Sequence, residues 1–168
     1  ALIGSSLSAD YRLDPDLPLV KADEDQLKQV IYHLVANARD AMPGGGRITV
    51  RTRRGEGAIE AAVADTGGGI PPEDLTRMFE PFYSTKEVGK GSGMGLSMVH
   101  GIVHEHGGHV IAESNRGLGA CFRVLLPARD DCSADSIDDE VRGGSRDAPV
   151  PARLRGRVMV VEDERLVR

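Results

Sequence analysis

The longest helical pattern in the chain runs from Leu27 to Met42, where apolar residues recur every three or four positions and form one broad stripe. Asp23 precedes this stripe, and Gln26 follows three residues later, which predicts a helix N-terminus with a capping box. Pro43 and the three glycines after it predict the end of the helix.

Elsewhere the pattern alternates with a period of two, which is typical of strands. A weak alternation over residues 2–13 favours an edge strand, and residues 17–22 favour a short one. Two alternating segments, 47–53 and 58–64, flank Gly55-Glu56-Gly57 and predict a hairpin. A short helix is predicted over 72–79, a longer one from Leu96 to Gly107, and strands over 109–114 and 120–126.

Residues 88–99 carry a glycine at every second position from Gly89 to Gly95 and lead directly into the second long helix. Glycine lets a backbone approach a ligand closely, and a helix N-terminus offers unpaired N–H groups and a positive dipole end to an anion. This pattern favours a nucleotide lid that binds phosphate. The spacing is neither a dinucleotide fingerprint nor a P-loop, and a flexible loop without a ligand is the alternative.

On the first long helix, His33, Asn37 and Asp40 follow i, i+4, i+7 spacing and therefore share one flank beside the apolar stripe. Such a trio can face a cleft. The amide oxygen of Asn37 is a suitable neutral ligand for Mg²⁺, which prefers oxygen donors. A solvent-exposed helix residue is the alternative for Asn37 considered alone.

Asp65 ends the second strand of the hairpin, and three glycines follow Thr66. A carboxylate beside a turn with so little side-chain volume leaves room for a flat ligand, and it can accept a hydrogen bond from an adenine amino group. An ordinary turn aspartate is the alternative.

Two of the three phenylalanines, Phe79 and Phe82, lie just before the glycine-rich segment. They are interpreted either as anchors of the lid or as core aromatics beneath a loop. Ser84, Thr85 and Lys86 then offer two hydroxyl groups and a cation near the predicted phosphate site.

The chain has 168 residues and a net charge of −5, from 26 acidic and 21 basic residues. No basic patch interleaved with aromatic residues is present, which argues against nucleic acid as a partner. Cys121 and Cys132 have no metal-ligand or disulfide-framework spacing, so a reducing compartment is expected. The sequence contains no signal peptide and no apolar run that would span a bilayer. Because it begins at Ala1 without a methionine, we expect a fragment of a larger protein.

Three segments follow from composition. Residues 1–128 form the predicted domain, and residues 129–156, rich in acidic, glycine, serine and proline residues, predict a disordered linker. Residues 157–168 restore a strand followed by Glu162 and Asp163. They resemble the first strand of a response-regulator receiver domain, whose acidic pair binds Mg²⁺; a chance apolar strand is the alternative.

Four motifs occur in the order and spacing of one known family. They are Asn37-Ala-Arg-Asp-Ala, Asp65-Thr-Gly-Gly-Gly-Ile70, Phe79-Glu-Pro-Phe82 and Gly91-Ser-Gly-Met-Gly-Leu96. They resemble the N, G1, F and G2 boxes of the catalytic ATP-binding domain of sensor histidine kinases, in the GHKL ATPase superfamily. The resemblance covers roughly residues 7–127 and implies a two-layer α/β sandwich, with a mixed sheet and helices on one face.

The resemblance also implies ATP and Mg²⁺ as cofactors and assigns roles to residues. Asn37 would ligate Mg²⁺, Asp65 would bind the adenine amino group, and the catalytic set would be His33, Asn37 and Lys86. The expected nucleotide-binding residues are Asn37, Asp40, Asp65, Gly67, Gly69, Ile70, Thr85, Lys86, Gly91, Ser92, Gly93, Met94, Gly95 and Leu96.

The chain departs from the family pattern at two places. His33 stands where histidine kinases commonly have Asn and the ATP-hydrolysing relatives have Glu, a general base for water. Histidine in place of this Glu favours phosphoryl transfer over hydrolysis, although a neutral imidazole can also accept a proton. In the last box Ala120 or Cys121 replaces the frequent Thr or Ser, which removes one hydrogen bond on the adenine side.

The expected function is that of a cytoplasmic hybrid histidine kinase, whose ATP-binding domain donates the γ-phosphoryl group to a histidine on a separate dimerisation domain. A response regulator or receiver domain would be the downstream partner. The alternatives are an ATP hydrolase of the same superfamily and a nucleotide-gated docking module that transfers nothing.

Overall fold

The computed structural model describes residues 6–85 and 93–129, and the backbone of residues 157–161. In chain order the elements are β1 (Leu7–Arg12), α1 (Glu24–Asp40), β2 (Gly46–Arg54), β3 (Ala58–Asp65), α2 (Pro72–Leu75), α3 (Gly95–Glu105), β4 (His109–Ser114), β5 (Ala120–Pro127) and β6 (Arg157–Val161).

The strands form one sheet in the order β1-β2-β3-β5-β4-β6. The edge strand β1 is parallel to β2, and all other neighbours are antiparallel, so the sheet is mixed. The helices α1 and α3 contact each other and pack on the sheet. The predicted two-layer α/β sandwich is therefore confirmed.

The core lies between this helical layer and one face of the sheet. Alternate strand residues point into it, among them Val63, Val110 and Phe122, and they form one cluster with Leu34 of α1 and Val99 of α3. This arrangement follows from the two apolar periods in the sequence, since a stripe on each helix must cover one face of the strands.

The opposite face of the sheet carries an ion-pair cluster centred on Glu60, which is only 3% exposed. Its carboxylate accepts hydrogen bonds from Arg53 at 2.6 Å and from Arg51 at 3.4 Å, and Arg123 lies 3.5 Å away. These partners compensate the cost of removing a carboxylate from water. The polar residues that alternate with the core residues along these strands thus form ion pairs on the opposite face of the sheet.

Two predicted elements are shorter than expected. Residues 17–22 form only an isolated bridge, between Val20 and Ala128, because Pro18 has no N–H to donate to a ladder. The helix predicted over 72–79 ends at Leu75, and turns continue toward Pro81. After Leu75 the backbone forms tighter turns with i→i−3 hydrogen bonds, from the N–H of Arg77 to Asp74 at 3.1 Å and from the N–H of Glu80 to Arg77 at 2.8 Å.

The start of α1 confirms half of the predicted capping box. The Asp23 carboxylate accepts hydrogen bonds from the backbone N–H groups of Asp25 and Gln26, both at 2.9 Å. The reciprocal bond from the Gln26 side chain is not formed, because the Asp23 N–H instead donates to Nε2 of His106 at 3.0 Å. His106 follows α3, so this bond ties the end of α3 to the beginning of α1.

The backbone of β6 runs antiparallel to β4, from Arg157 opposite Ser114 to Val161 opposite Val110. Its assignment to a receiver domain stays a prediction, and Glu162 and Asp163 lie outside the described residues. Within the described parts of the chain, no helix combines the length and the apolar character that crossing a bilayer requires.

Candidate functional site

A cavity of about 690 Å³ lies between α1, α3 and the ends of β3 and β5. Most of the residues predicted to be catalytic or to bind the nucleotide line it. They are His33, Asn37, Asp40, Asp65, Gly69, Ile70, Thr85, Gly93, Met94, Gly95 and Leu96. Gly67 is not among the lining residues, and Lys86, Gly91 and Ser92 lie outside the described part of the chain.

One wall of the cavity is the polar flank of α1. His33, Asn37 and Asp40 all line it, as their spacing predicts. Nδ2 of Asn37 is buried and has no hydrogen-bond partner within the described residues. An unsatisfied buried polar group costs about 1–3 kcal/mol, so its presence here is better explained by a ligand than by stability.

His33 lies where α1 meets the beginning of α3. A Cβ atom built on Gly95 would be 3.3 Å from Nδ1 of His33, so the imidazole directly faces the first residue of α3. The ring also contacts Tyr32 edge to face, with centroids 5.6 Å apart. The N-terminus of α3 therefore has an imidazole beside it.

The carboxylate of Asp65 is the most enclosed charged group of the cavity, and the residue is 7% exposed. Oδ1 accepts hydrogen bonds from the N–H groups of Gly67 at 2.8 Å and Ala120 at 3.3 Å. Burial raises the pKa of Asp65, and these two hydrogen bonds oppose that shift. Within the described residues both bonds go to Oδ1, which leaves Oδ2 for a ligand.

Two of the three glycines after Asp65 are required by the packing of the loop. A Cβ on Gly67 would lie 2.6 Å from the carbonyl oxygen of Ala41, at the end of α1. Gly69 has φ +72°, and a Cβ there would lie 2.1 Å from the carbonyl oxygen of Asn115. Gly67 is thus required by the end of α1 next to it, and Gly69 by the turn between β4 and β5.

The substitution Gly69→Ala is expected to destabilise the domain by about 1–3 kcal/mol, since it adds both backbone strain and a close contact. Gly68→Ala is a matched control, because a Cβ at Gly68 would meet nothing within 4 Å. Urea denaturation would compare the free energies of unfolding. Equal stability of the two variants would contradict the packing role of Gly69.

The backbones of Phe82 and Gly93 lie next to each other. A Cβ on Gly93 would lie 2.5 Å from the carbonyl carbon of Phe82, which itself has φ 66°. The Phe82 ring is 77% exposed, whereas Phe79 packs against the core. Of the two interpretations, the core role therefore holds for Phe79, while the backbone of Phe82 contacts that of Gly93.

The N-terminus of α3 faces the same cavity through residues 93–96. Its cap residue, Met94, makes no side-chain capping hydrogen bond. The first-turn N–H groups and the positive end of the helix dipole can therefore receive a phosphate group.

The charges around the cavity bear on a metal ion. Three carboxylates line it, those of Asp40, Asp65 and Asp74, and no Lys or Arg is among the described lining residues. No three His, Cys, Asp or Glu side chains in the described segments are grouped so that they could hold a metal. The residues present fit Mg²⁺, which commonly takes one or two protein oxygens together with phosphates and waters.

The family model described as "Histidine kinase-, DNA gyrase B-, and HSP90-like ATPase" matches residues 22–130, which include α1, Asp65 and the N-terminus of α3. The chain belongs to this ATPase family. The catalytic ATP-binding domain of the sensor histidine kinase type, expected from the four motifs, is confirmed.

Curated relatives of this ATPase domain include bacterial sensor kinases. The chain is 40% identical to "Sensor kinase CckA" of Brucella abortus (strain 2308) over 193 aligned residues, covering 99% of this chain and 19% of that protein. It is 42% identical to "Sporulation kinase C" of Bacillus subtilis (strain 168), covering 67% of this chain and 26% of the relative. The chain thus spans about a fifth to a quarter of these relatives.

Solved structures of the same ATPase family have the same fold. The mycobacterial sensor histidine kinase MprB superimposes with a TM-score of 0.66 at 29% identity, covering 74% of this chain and 84% of that structure. The nucleotide-free catalytic domain of histidine kinase ThkA gives 0.65 at 31% identity, covering 73% and 80%. Full-length ShkA in complex with AMPPNP gives 0.61 at 31% identity, covering 73% and 26%.

Several lining residues of this ATPase site were not predicted from the sequence. Gln29 precedes His33 by four residues, so extending the i, i+4 series along α1 would have found it. Asp74 and Tyr83 are joined by a hydrogen bond from the Tyr83 hydroxyl, and Arg77 lies 4.4 Å from the Tyr83 ring centroid. No local pattern indicates that pair, because the turns between α2 and Tyr83 bring it together.

Proposed function

We propose that this domain binds Mg-ATP, with the adenine amino group on Oδ2 of Asp65 and the triphosphate at the N-terminus of α3. The observation that carries this proposal is the enclosed Asp65 carboxylate, whose Oδ1 is held by two backbone N–H groups within the described loop. A buried acid fixed in this way is ready to accept one more hydrogen bond from a flat ligand.

Asn37 would hold Mg²⁺ through its amide oxygen. The ion would supply positive charge for the phosphates, because the described lining of the cavity has three carboxylates and no Lys or Arg. The unsatisfied Nδ2 of Asn37 supports this role, since the side chain has no structural hydrogen bond to maintain. Thr85 lines the cavity, and Lys86, outside the described residues, would add a cation.

The reaction would be phosphoryl transfer to a histidine on a separate dimerisation domain. A ring nitrogen of that histidine would attack the γ-phosphorus, the bond to the β,γ-bridging oxygen would break, and ADP would leave. In such a transfer the protein acts mainly by positioning the reactants and stabilising charge. The relatives named as sensor kinases support this reaction.

Hydrolysis of ATP, as in other branches of the family, is the second candidate. His33 argues against it, because an imidazole stands beside Gly95 where a glutamate would activate water. A docking module that binds nucleotide without transfer is the third candidate. It is disfavoured because the relatives are named as sensor kinases.

The proposed partners are the dimerisation domain of the same kinase and a downstream receiver domain or response regulator. Residues 157–168 would begin such a receiver, after a linker over 129–156. The proposed location is the cytoplasm, where ATP is available.

This chain alone is expected to bind Mg-ATP and to remain unlabelled by γ-labelled ATP. None of its histidines, which are His33, His100, His104, His106 and His109, lies in a recognisable acceptor motif. His104-Glu105-His106 comes nearest, but it lies at the end of α3, where His106 already bonds to Asp23 and Ile102. Adding a separately expressed dimerisation domain of the parent kinase should transfer label to that partner.

Calorimetric titration of Mg-ATP into the chain tests binding independently of transfer. Acid-labile phosphate on this chain alone would contradict the proposed division of roles, and His104→Ala and His106→Ala would then locate the acceptor. Label that is lost to free phosphate with the partner present would favour hydrolysis instead.

A further inference from the structure

Ser114, the last residue of β4, has a buried hydroxyl at the edge of the nucleotide site and no role in the proposed binding. The residue is 5% exposed. Its Oγ accepts a hydrogen bond from the backbone N–H of Ile70 at 2.8 Å and donates one to the carbonyl oxygen of Gly119, also at 2.8 Å. One side chain thus connects two separate backbone segments.

These two segments are the ones that hold Asp65. The loop that ends at Ile70 supplies the N–H of Gly67 to Oδ1, and the segment that begins at Gly119 supplies the N–H of Ala120 to the same oxygen. The backbones of Gly119 and Asp65 also lie in close contact. A Cβ on Gly119 would lie 2.0 Å from the carbonyl oxygen of Asp65.

The turn between β4 and β5 adds a second connection to the same loop. The N–H of Gly117 donates to the carbonyl oxygen of Gly68 at 2.7 Å, and Gly69 packs on the carbonyl of Asn115. The loop over residues 66–70 has little side-chain packing of its own. Its backbone is therefore held by the β4–β5 turn, and Ser114 is the side chain that joins the two.

We propose that Ser114 is a positioning residue of the nucleotide site, which fixes the two backbone N–H groups that orient the Asp65 carboxylate. The inference rests on the proposed function in one respect only, namely that the oriented carboxylate receives adenine. Ser114 itself need not touch the nucleotide. Without its hydroxyl, the Ile70 N–H and the Gly119 carbonyl lose their buried partner, and the loop relaxes away from Asp65.

The test compares Ser114→Ala with Ser114→Thr, which keeps the hydroxyl, and with Val110→Ala. Val110 is fully buried on the same face of β4 and makes a matched control for lost core packing. Ser114→Ala should raise the Kd for Mg-ATP by on the order of tenfold and narrow the preference for ATP over GTP. Amide hydrogen exchange at Gly67 and Ala120, whose N–H groups orient the Asp65 carboxylate, should accelerate by a similar factor.

Ser114→Thr should restore most of the ATP affinity, and Val110→Ala should lower the Tm while keeping the Kd within about twofold. Unchanged ATP affinity in Ser114→Ala would overturn the inference, and so would an equal loss in Val110→Ala at matched Tm. If the unmodified protein bound no Mg-ATP, the proposed function would fail. Amide exchange at Gly67 and Ala120 would still decide the role of Ser114, because it is measured without nucleotide, and unchanged exchange there would overturn it.

Discussion

Asp65→Asn is expected to remove the preference for ATP over GTP while leaving the fold intact. The substitution should weaken ATP binding by about 1.5–3 kcal/mol, which is the range for a lost hydrogen bond to a charged group. Calorimetry with ATP and GTP, each with Mg²⁺, would measure both affinities and their ratio.

The reason is that Asp65 needs two acceptor oxygens and asparagine has one. Oδ1 of Asp65 accepts from the N–H groups of Gly67 and Ala120, and Oδ2 is left for the adenine amino group. If the amide oxygen of asparagine keeps the backbone bonds, its NH₂ group faces the adenine NH₂. That NH₂ group could instead donate to the O6 acceptor of guanine, so GTP should lose less affinity than ATP.

Asp74→Asn is a suitable control, because it removes another cavity carboxylate without a predicted role in base recognition. Removing negative charge there should not weaken ATP binding. If ATP selectivity survives Asp65→Asn, or if both substitutions change it equally, the assignment of Asp65 to the adenine end is wrong.

The same substitution has a pH signature in stability. Burial raises the pKa of Asp65 in the folded protein, so the folded state holds this proton more tightly than the unfolded chain does. The charged carboxylate therefore costs stability once the pH exceeds its unfolded pKa of about 3.9. Asp65→Asn should match the unmodified protein at pH 3 and become relatively more stable as the pH rises to 7.

The strands and helices that build the site could be predicted wherever the apolar residues repeat with a single period. Val110 and Phe122 face the core because β4 and β5 alternate with a period of two, and Leu34 and Val30 face it because α1 repeats with a period of 3.6. The polar flank of α1 was predictable for the same reason. Fixed spacing on a regular element determines which side chains share a face.

Contacts between separate segments could not be predicted in this way. The N-cap residue Asp23 was identified, but its N–H bonds to His106, which is 83 residues away in sequence. Ser114 likewise ended a predicted strand without any sign that its hydroxyl would join Ile70 to Gly119. These bonds depend on how the sheet places distant backbones next to each other, and a local pattern contains no such information.

The glycines of the loop after Asp65 also show what a sequence motif cannot predict. The motif implied that Gly67 and Gly69 pass close to the base, which stays a prediction; in the structure Gly67 also lies against the end of α1 and Gly69 against the β4–β5 turn. A motif reports that a side chain is excluded at a position. It does not report whether the ligand or the neighbouring backbone excludes it.

Asn37→Ala is expected to weaken the binding of Mg-ATP by about 1–3 kcal/mol without lowering the stability of the domain. Nδ2 of Asn37 is buried without a partner in the described structure, so truncation removes an unsatisfied group and breaks no hydrogen bond. Alanine is also the better helix former inside α1, by a few tenths of a kcal/mol. The free energy of unfolding should therefore stay the same or rise.

The dependence on metal distinguishes a Mg²⁺ ligand from a residue that merely lines the cavity. Asn37→Ala and the unmodified protein should bind ATP alike in EDTA and differ only when Mg²⁺ is added, because the amide oxygen acts through the ion. Gln29→Ala is the matched control, since Gln29 lines the same flank of α1 two turns earlier and should show no metal-dependent loss. An affinity difference that persists in EDTA would mean that Asn37 contacts the nucleotide directly. Equal ATP affinities of the two proteins in the presence of Mg²⁺ would mean that Asn37 is not part of the site.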